Sequence, residues 1–379
     1  MNPSFLRKYY LILLLIPLFL TGCSETKYVL RYENLSDERI WPPPPDIPRY
    51  RYVGQLTGED NLDAVEEGGA GEAIVGFFRA LVGLDSESRR LKTLQSPKAG
   101  IVDKAGRVLV TDAGHQAIFV FDEKQGKLDI WREAHEDSNF ISPVSLAIAK
   151  NGDVLVSDTK LKRIIRLDAK TGAPRGDFGF EDIERPTGLA VDPSSGRIFV
   201  ADTNEHNIKV YDENEKLVQI IGQVGENPGE FNAPTDLAYI NDKLYVSDTF
   251  NARVQVFDKD GKFVKIIGKR GRYIGNLVRP KGVTADSDGN VYIVESFHDY
   301  LLIYNKNARF LLPIGGTGAG VGEFYLPAGV WSDQRDRIYV ADMFNGRVAI
   351  FQYLQGKGNG DPSTIPALTK DAGQPIIKQ

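Results

Sequence analysis

The chain has 379 residues, of which 46 are Lys or Arg and 51 are Asp or Glu, and its formal net charge is -5. This mildly acidic balance disfavours nucleic-acid binding, which needs an excess of basic side chains on the surface. The single cysteine excludes an internal disulfide and a thiolate metal centre. Length alone predicts two or three domains.

The first predicted element is a leader. Arg7 and Lys8 give a basic start, and residues 9–20 form an apolar run that suits a signal peptide but is short for a membrane span. The run ends in LTGC at residues 20–23, which resembles the lipobox of bacterial lipoproteins. The resemblance implies that residues 1–22 are removed and that the sulfur of Cys23 is acylated, so that the membrane is one partner. An uncleaved signal anchor is the alternative.

The lipobox resemblance also implies a location. The residue after the cysteine is Ser24 and not Asp, which in such lipoproteins implies sorting to the outer membrane if the cell is Gram-negative. Acyl chains hold firmly, because each buried CH₂ adds about 0.8 kcal/mol. Loss of Arg7 and Lys8 would change the net charge from -5 to -7. We therefore expect a lipid-anchored protein of a bacterial cell envelope.

Residues 23–49 are predicted to be a tether. The sequence WPPPPDIP at residues 41–48 favours an extended polyproline II conformation, because proline fixes φ and lacks an N–H group. Such a segment is a stiff spacer of about 3.1 Å per residue. Packing onto the following domain and recognition by a proline-binding partner are the alternatives.

An acidic and helical insert is predicted at residues 59–90. Within it, EAIVGFFRALVGL at residues 72–84 places its apolar side chains on one broad helical face. A short accessory helix docked on the neighbouring domain is the simplest interpretation. A membrane-surface helix and a partner-binding helix are the alternatives, and the acidic flank disfavours an anionic membrane.

Residues 96–353 contain six copies of one unit, and this repeat overrides the estimate from length. Each copy begins at a proline, and successive prolines are 43 to 48 residues apart. These marker prolines are Pro97, Pro143, Pro186, Pro234, Pro280 and Pro327. Each copy also has a carboxylate about 15 residues later. These marker acids are Asp112, Asp158, Asp202, Asp248, Glu295 and Asp342.

Each unit has the pattern of four short strands separated by Gly, Asn and Asp. The strands are almost continuously apolar, as in sheets that are packed on both faces. The predicted fold is therefore all-β, a six-bladed β-propeller spanning 50–353. The sixth unit lacks a fourth strand, and residues 50–58 have the pattern to supply it and close the ring. Residues 354–379 are predicted to be a flexible tail.

The repeats resemble the NHL repeat family of β-propellers. The resemblance rests on the Pro-x-Gly start, the VADT strand end, and the Asn-x-Arg step that stands complete at residues 251–253 and 345–347. Gly-Glu-Phe also recurs in two links, at residues 229–231 and 322–324. This combination is specific for the fold and not for function, since propellers host many unrelated activities.

The marker acids and three histidines are the candidate polar sites. A carboxylate after the second strand can accept backbone N–H bonds or pair with Arg163, Arg253 or Arg347 five residues later, so we expect a structural role. The histidines follow the marker acids of units one, three and five, in turns where solvation is favoured over metal binding. They are His115, His206 and His298.

The resemblance gives no catalytic residue. NHL-type amidating lyases place zinc-binding histidines directly after the marker proline, and no histidine stands there in this chain. Those positions hold Lys98, Val144, Thr187, Thr235, Lys281 and Ala328. Neither GxSxG nor HExxH occurs. No catalytic residue, metal ligand or cofactor is predicted.

A basic stretch between units four and five is the candidate partner-binding patch. It contains Lys269, Arg270, Arg272, Tyr273 and Lys281, and residues 261–281 include no acid. A solvated surface is the alternative. The sequence thus favours a binding scaffold in an envelope complex, with a protein partner and no nucleic acid. A metal-assisted lyase or hydrolase at the propeller channel is the alternative function.

Overall fold

The computed structural model describes residues 28–32, 39–64 and 92–354. Within them the fold is almost entirely β, with two one-turn 3-10 helices at Glu59–Asn61 and Thr249–Asn251. No helix among these residues is long and apolar enough to span a bilayer. The predicted helix at 72–84, the leader and most of the C-terminal tail fall outside the described residues and stay predictions.

Six antiparallel sheets form the blades of a propeller, which confirms the predicted fold. The strands of blades 1 to 3 are Pro97–Val102, Val108–Asp112, Ala117–Asp122 and Lys127–Trp131; Pro143–Ile148, Val154–Asp158, Arg163–Leu167 and Pro174–Phe178; Pro186–Val191, Ile198–Asp202, Asn207–Tyr211 and Leu217–Ile221. Those of blades 4 to 6 are Pro234–Ile240, Lys243–Asp248, Arg253–Asp258 and Phe263–Ile267; Pro280–Ala285, Val291–Glu295, Tyr300–Tyr304 and Phe310–Gly315; Pro327–Ser332, Arg337–Asp342, Arg347–Tyr353 and Tyr50–Leu56.

The N-terminal strand closes the ring as predicted. Tyr50–Leu56 pairs antiparallel with the third strand of blade 6, so that Leu56 lies opposite Val348 and Tyr50 opposite Tyr353. Leu56 is fully buried. The strand therefore completes the hydrophobic packing between blades 6 and 1 and covers an edge that would otherwise be open.

The blades share one orientation, which defines the two faces of the ring. In every blade the marker proline, at the start of strand 1, is paired with the marker acid, at the end of strand 2. All prolines, all marker acids and the links between blades therefore lie on one face, here called the marker face. The first strands pack side by side around the axis and line the channel. The second and third strands are nearly fully buried, because each is covered by both neighbouring blades.

The segment before the ring is more ordered than a free tether. Tyr28–Leu30 pairs with Leu62–Ala64, and Ile40–Trp41 adds a fifth strand to blade 6. Leu30 is buried in the core, and the Trp41 ring meets Phe351 edge to face at 5.6 Å. These residues of the 23–49 segment thus pack onto the domain, which was the alternative to a simple spacer, and burial of Leu30 and of the Trp41 ring favours this packing.

Two further short strands, Glu133–His135 and Ser138–Asn139, form a hairpin between blades 1 and 2. They leave the ring unchanged.

Candidate binding site at the channel mouth

The channel opens on the marker face into a cavity of about 730 Å³. The six residues directly after the marker prolines all line this cavity, because the first strands start there. They are Lys98, Val144, Thr187, Thr235, Lys281 and Ala328. A volume of this size suits a small ligand or a single side chain from a partner.

Four cationic side chains meet at this opening, here called the cationic mouth: Lys98, Arg185, Arg279 and Lys281. The two lysines are half-buried in the wall, and the two arginines are exposed at its edge. Within the part of the chain that the structure describes, none of the four forms an ion pair with a carboxylate. The ammonium of Lys98 lies 2.7 Å from the sulfur of Met343, which is a weak acceptor.

The surroundings disfavour the charged form of both lysines. Burial lowers the pKa of Lys98. Burial also lowers the pKa of Lys281, and the like charges of Arg279, Arg185 and Lys98 lower it further. Lys281 is thus close enough to the other three cations to be repelled by them, whereas the nearby carboxylate of Asp112 partly favours the charged form of Lys98. An anion in the cavity would relieve both the repulsion and the lost hydration.

One carboxyl group, that of Asp236, shares the cavity. Its Oδ2 accepts a 2.9 Å hydrogen bond from the backbone N–H of Val283 in the next blade. Burial raises the pKa of Asp236 to about 7, although backbone N–H donors act against this shift. Ser145 has an equivalent role in blade 2, where its hydroxyl accepts a 3.1 Å bond from the N–H of Leu189. Asp236 therefore joins two blades and also presents a titratable group to the channel.

The marker acids act as clamps for the links that precede each blade. Asp112 and Asp158, for example, each accept N–H bonds from the two residues before the marker proline. Asp248 and Asp342 pair with Arg253 and Arg347 at 2.7 and 2.8 Å. Arg163 differs from its expected role.

Arg163 pairs with Asp177 at 3.2 Å and not with Asp158. The carboxylate of Asp158 already accepts four backbone N–H bonds, from residues 141, 142, 160 and 161. No lone pair is left in a favourable position for the guanidinium.

The three histidines are separated. His115 contacts Asp112 at 3.2 Å, His206 accepts a 3.0 Å bond from the N–H of Ala233, and His298 packs on Phe297. The described residues contain no group of three His, Cys, Asp or Glu side chains placed to hold a metal ion. The donor set that the structure describes does not fit a zinc centre.

The predicted partner-binding patch divides into two parts. Lys269, Arg270, Arg272 and Tyr273 are exposed on the link between blades 4 and 5, whereas Lys281 lies inside the cavity. The structure brings Lys281 together with Arg185, which the sequence analysis did not single out. A usable signal existed, because Arg185 and Arg279 both directly precede a marker proline.

The comparison with protein families agrees with this geometry. Residues 184–211 match the NHL repeat, and residues 232–276 match a family described as a 6-bladed beta-propeller. The chain is a six-bladed propeller with NHL repeats. The six blades share one design, so the residues that distinguish this chain from other propellers lie at the channel and on the marker face.

Two curated proteins show partial sequence similarity to this chain. Protein brain tumor of Drosophila melanogaster is 27% identical over 128 residues, 33% of this chain and 12% of that protein. A probable peptidyl-alpha-hydroxyglycine alpha-amidating lyase of Caenorhabditis elegans is 28% identical over 228 residues, 50% of this chain and 63% of the lyase. The chain therefore spans less than two thirds of either relative.

Among solved structures, virginiamycin B lyase from Staphylococcus aureus has a TM-score of 0.51 and 17% identity. The similarity covers 68% of this chain and 95% of the lyase. At this identity the likeness supports the propeller fold alone.

Proposed function

We propose that the protein is a lipid-anchored binding scaffold of a bacterial cell envelope, which holds an anionic ligand or an acidic group of a partner at its cationic mouth. The observation that carries this proposal is the set of four cations in one cavity, none of which forms an ion pair in contact with a carboxylate among the described residues. Like charges held close together, two of them half-buried, destabilise a fold. Their presence at an opening favours a role in binding.

The register of the blades supports a functional role for the two lysines. The equivalent positions in blades 2, 3, 4 and 6 hold Val144, Thr187, Thr235 and Ala328. The same strand start thus folds with small neutral side chains, and the ring does not require a cation at this place.

The course of the N-terminal segment supports an anchored protein whose marker face is accessible. The Tyr28 carbonyl packs so closely on Gly126 that no Cβ would fit there. Gly126 lies in the turn between strands 3 and 4 of blade 1, on the face opposite the marker face. Tyr28 follows Cys23 by five positions, with four residues between them, a reach of at most about 18 Å. An acylated Cys23 would hold that side of the ring near the membrane and leave the cationic mouth directed away.

Binding at the cationic mouth can be tested with citrate as the probe, at low ionic strength. Citrate should raise the melting temperature of the wild-type protein by mass action. The shift should be lost in Lys98→Gln/Lys281→Gln. The matched control is Lys104→Gln/Lys124→Gln, which removes two exposed cations from the opposite mouth, where Asp103, Asp333 and other carboxylates also line the opening. An equal shift in all three proteins would reject the proposed site.

A lyase or hydrolase is the second candidate, and the observation that favours it is Asp236. A carboxyl with a pKa of about 7 in the cavity can exchange protons near neutrality. The described residues do not fit a metal centre, so the metal-assisted form of this candidate has no support from the donor set. Turnover of a peptidyl-α-hydroxyglycine or of virginiamycin B, lost in Asp236→Asn, would select the lyase.

A further inference from the structure

Three phenylalanines stand at equivalent exposed positions on the marker face. Phe250, Phe297 and Phe344 each follow the marker acid by two residues, in the turn between strands 2 and 3 of blades 4, 5 and 6. Their side chains are 58 to 59% exposed. Blades 1 to 3 have Gly114, Lys160 and Asn204 at this position. Since the turn forms with these residues too, the phenylalanines are not required for folding.

The links of the same half of the ring add further apolar side chains to this face. Tyr273 is 83% exposed in the link between blades 4 and 5, and Ile274 beside it is 55% exposed. Tyr325, in the next link, packs on Phe344 with ring centroids 5.2 Å apart. The aromatic rim is defined as Phe250, Tyr273, Phe297, Tyr325 and Phe344. Single exposed apolar residues are common, but a concentration on one part of a surface marks an interaction site.

Positive charge is interleaved with the rim. Lys269, Arg270 and Arg272 are exposed between Phe250 and Phe297 in the sequence, and none of them has an ion-pair partner within the described chain. The guanidinium of Arg270 donates to the carbonyl of Phe250 and so fixes this link to the neighbouring turn. Aromatic side chains and arginine are the residues enriched at protein–protein hot spots.

We propose that the aromatic rim docks a partner protein that presents apolar side chains beside aspartates or glutamates. The inference rests on the proposed binding function and names the class of its partner. The basic links favour contact with acidic side chains of the partner, and the phenylalanines favour contact with its apolar side chains. The rim spans three of six blades, each related to the next by a rotation of about 60°. A ligand confined to the channel cavity cannot cover it.

The same observations disfavour other occupants. Two copies of this chain joined rim to rim would bring their basic links together, which costs several kcal/mol in like-charge contacts. To bind the rim, a membrane would have to lie on the marker face. The proposed anchor at Cys23 would instead hold the membrane near the opposite face, where Tyr28 packs on Gly126. Ile274 and Val224 also project from the links with more than half of their surface exposed, which adds apolar surface that a free sugar or a phosphate would not cover.

The test is site-specific photo-crosslinking of the full chain in the cells that produce it. The photoreactive residue p-benzoylphenylalanine would replace Phe297 or Phe344 and, as a control, Val218, which is exposed on the outer strand of blade 3. The same partner protein should crosslink at both rim positions and not at 218. The attachment should map by mass spectrometry to a segment with acidic and apolar residues.

A charge reversal tests the complementarity. Lys269→Glu/Arg272→Glu should lower the crosslink yield about tenfold or more, and raised salt should lower the wild-type yield. The matched control is Lys216→Glu/Lys259→Glu, which reverses two exposed charges in turns on the opposite face. This control should crosslink like the wild type.

Several results would overturn the inference. One such result is the absence of any adduct, or adducts only to a second copy of the chain, to glycan or to lipid. Another is attachment to a segment of the partner without acidic residues. A third is a crosslink yield that does not change after charge reversal of the basic link. The proposed function fails separately, because it predicts that Lys98→Gln/Lys281→Gln loses the citrate-induced shift while the rim variants keep it. Crosslinking without citrate binding would support the rim and reject the cationic mouth.

Discussion

Arg347 and Asp342 form a buried ion pair of 2.8 Å at the marker face of blade 6. The same guanidinium donates to the carbonyls of Ala319, Gly320 and Glu323 at 2.9 to 3.0 Å. One side chain thus satisfies the marker acid and also holds the link that leads into the blade. Arg253 and Asp248 repeat this arrangement in blade 4.

We expect Arg347→Ala to lower the free energy of unfolding by about 3–5 kcal/mol, because it leaves a buried carboxylate without its partner. Arg347→Lys should restore only part of this loss, since an ammonium cannot reach all the carbonyls that the planar guanidinium bonds. Chemical denaturation would measure both variants. Arg335→Ala, at an exposed arginine in the same blade, is the control; an equal loss there would contradict the clamp.

Ring closure gives a second prediction. Deleting residues 50–56 should lower the melting temperature sharply, because the third strand of blade 6 then loses its neighbour and its cover. Leu56→Ala is the milder test and should cost about 2–5 kcal/mol, since this side chain is fully buried. Ile47→Ala, at a site that is 76% exposed, should have almost no effect. An unchanged melting temperature after the deletion would show that the strand does not close the ring.

The sequence was sufficient for the ring because the fold repeats itself. Six prolines and six acids at one period determine blade number, blade orientation and the face on which the acids lie. The missing fourth strand in unit six directs attention to Tyr50–Leu56, which has the right pattern. Each of these conclusions compares the chain with itself, so no long-range geometry was needed.

The channel and its surroundings were less predictable, since they depend on differences between repeats. Asp236 stands where blades 3, 5 and 6 have Gly188, Gly282 and Gly329, and its burial becomes visible only once the ring is assembled. The partner of Arg163 depends on strand 4 of blade 2, which brings Asp177 opposite Ile165, and the pairing of strands 3 and 4 shifts register between Arg166 and Leu167. The docking of Trp41 onto Phe351 joins residues about 300 positions apart, beyond any local pattern.

Asp236 should make stability depend on pH in a defined direction. Its folded pKa, about 7, lies above the ordinary value of 3.8. The folded state therefore retains the proton more strongly, and the contribution to stability is complete below pH 4 and lost as pH rises through 7. The loss from this one group is at most about 4 kcal/mol.

Asp236→Asn should remove this dependence, since the amide oxygen still accepts the bond from Val283 but cannot ionise. The variant should gain stability over the wild type at pH 8 and not at pH 4. Denaturation curves at both pH values would measure the difference, with Asp242→Asn, at an exposed carboxylate, as the control. A constant difference between variant and wild type at the two pH values would refute the raised pKa.

Lipid anchoring rests on Cys23 alone. Cys23→Ala should prevent acylation and cleavage, so the protein should keep its leader and lose the mass of the acyl chains. Membrane fractionation and intact mass spectrometry would measure this. In a Gram-negative host, Ser24→Asp should keep the acyl chains but redirect the protein to the inner membrane. A Cys23→Ala variant that is processed and anchored like the wild type would rule out the lipoprotein.

The cationic mouth should show a conflict between stability and binding. Lys281 is half-buried beside three other cations, so Lys281→Met should raise the free energy of unfolding by about 1 kcal/mol at pH 7. The lowered pKa of Lys281 means that its charged form destabilises the folded state. The stability gain of Lys281→Met should therefore persist as long as the lysine is protonated, and should disappear only when the pH rises above the ordinary pKa of lysine.

The same substitution should reduce the citrate-induced rise in melting temperature, because it removes a cation from the site. Lys216→Met, at an exposed lysine of the opposite face, should change neither quantity. If Lys281→Met destabilised the protein and left the citrate shift intact, the lysine would be a structural residue and the cationic mouth would not be a binding site. A stability gain with a binding loss is the signature of a charge retained for a ligand.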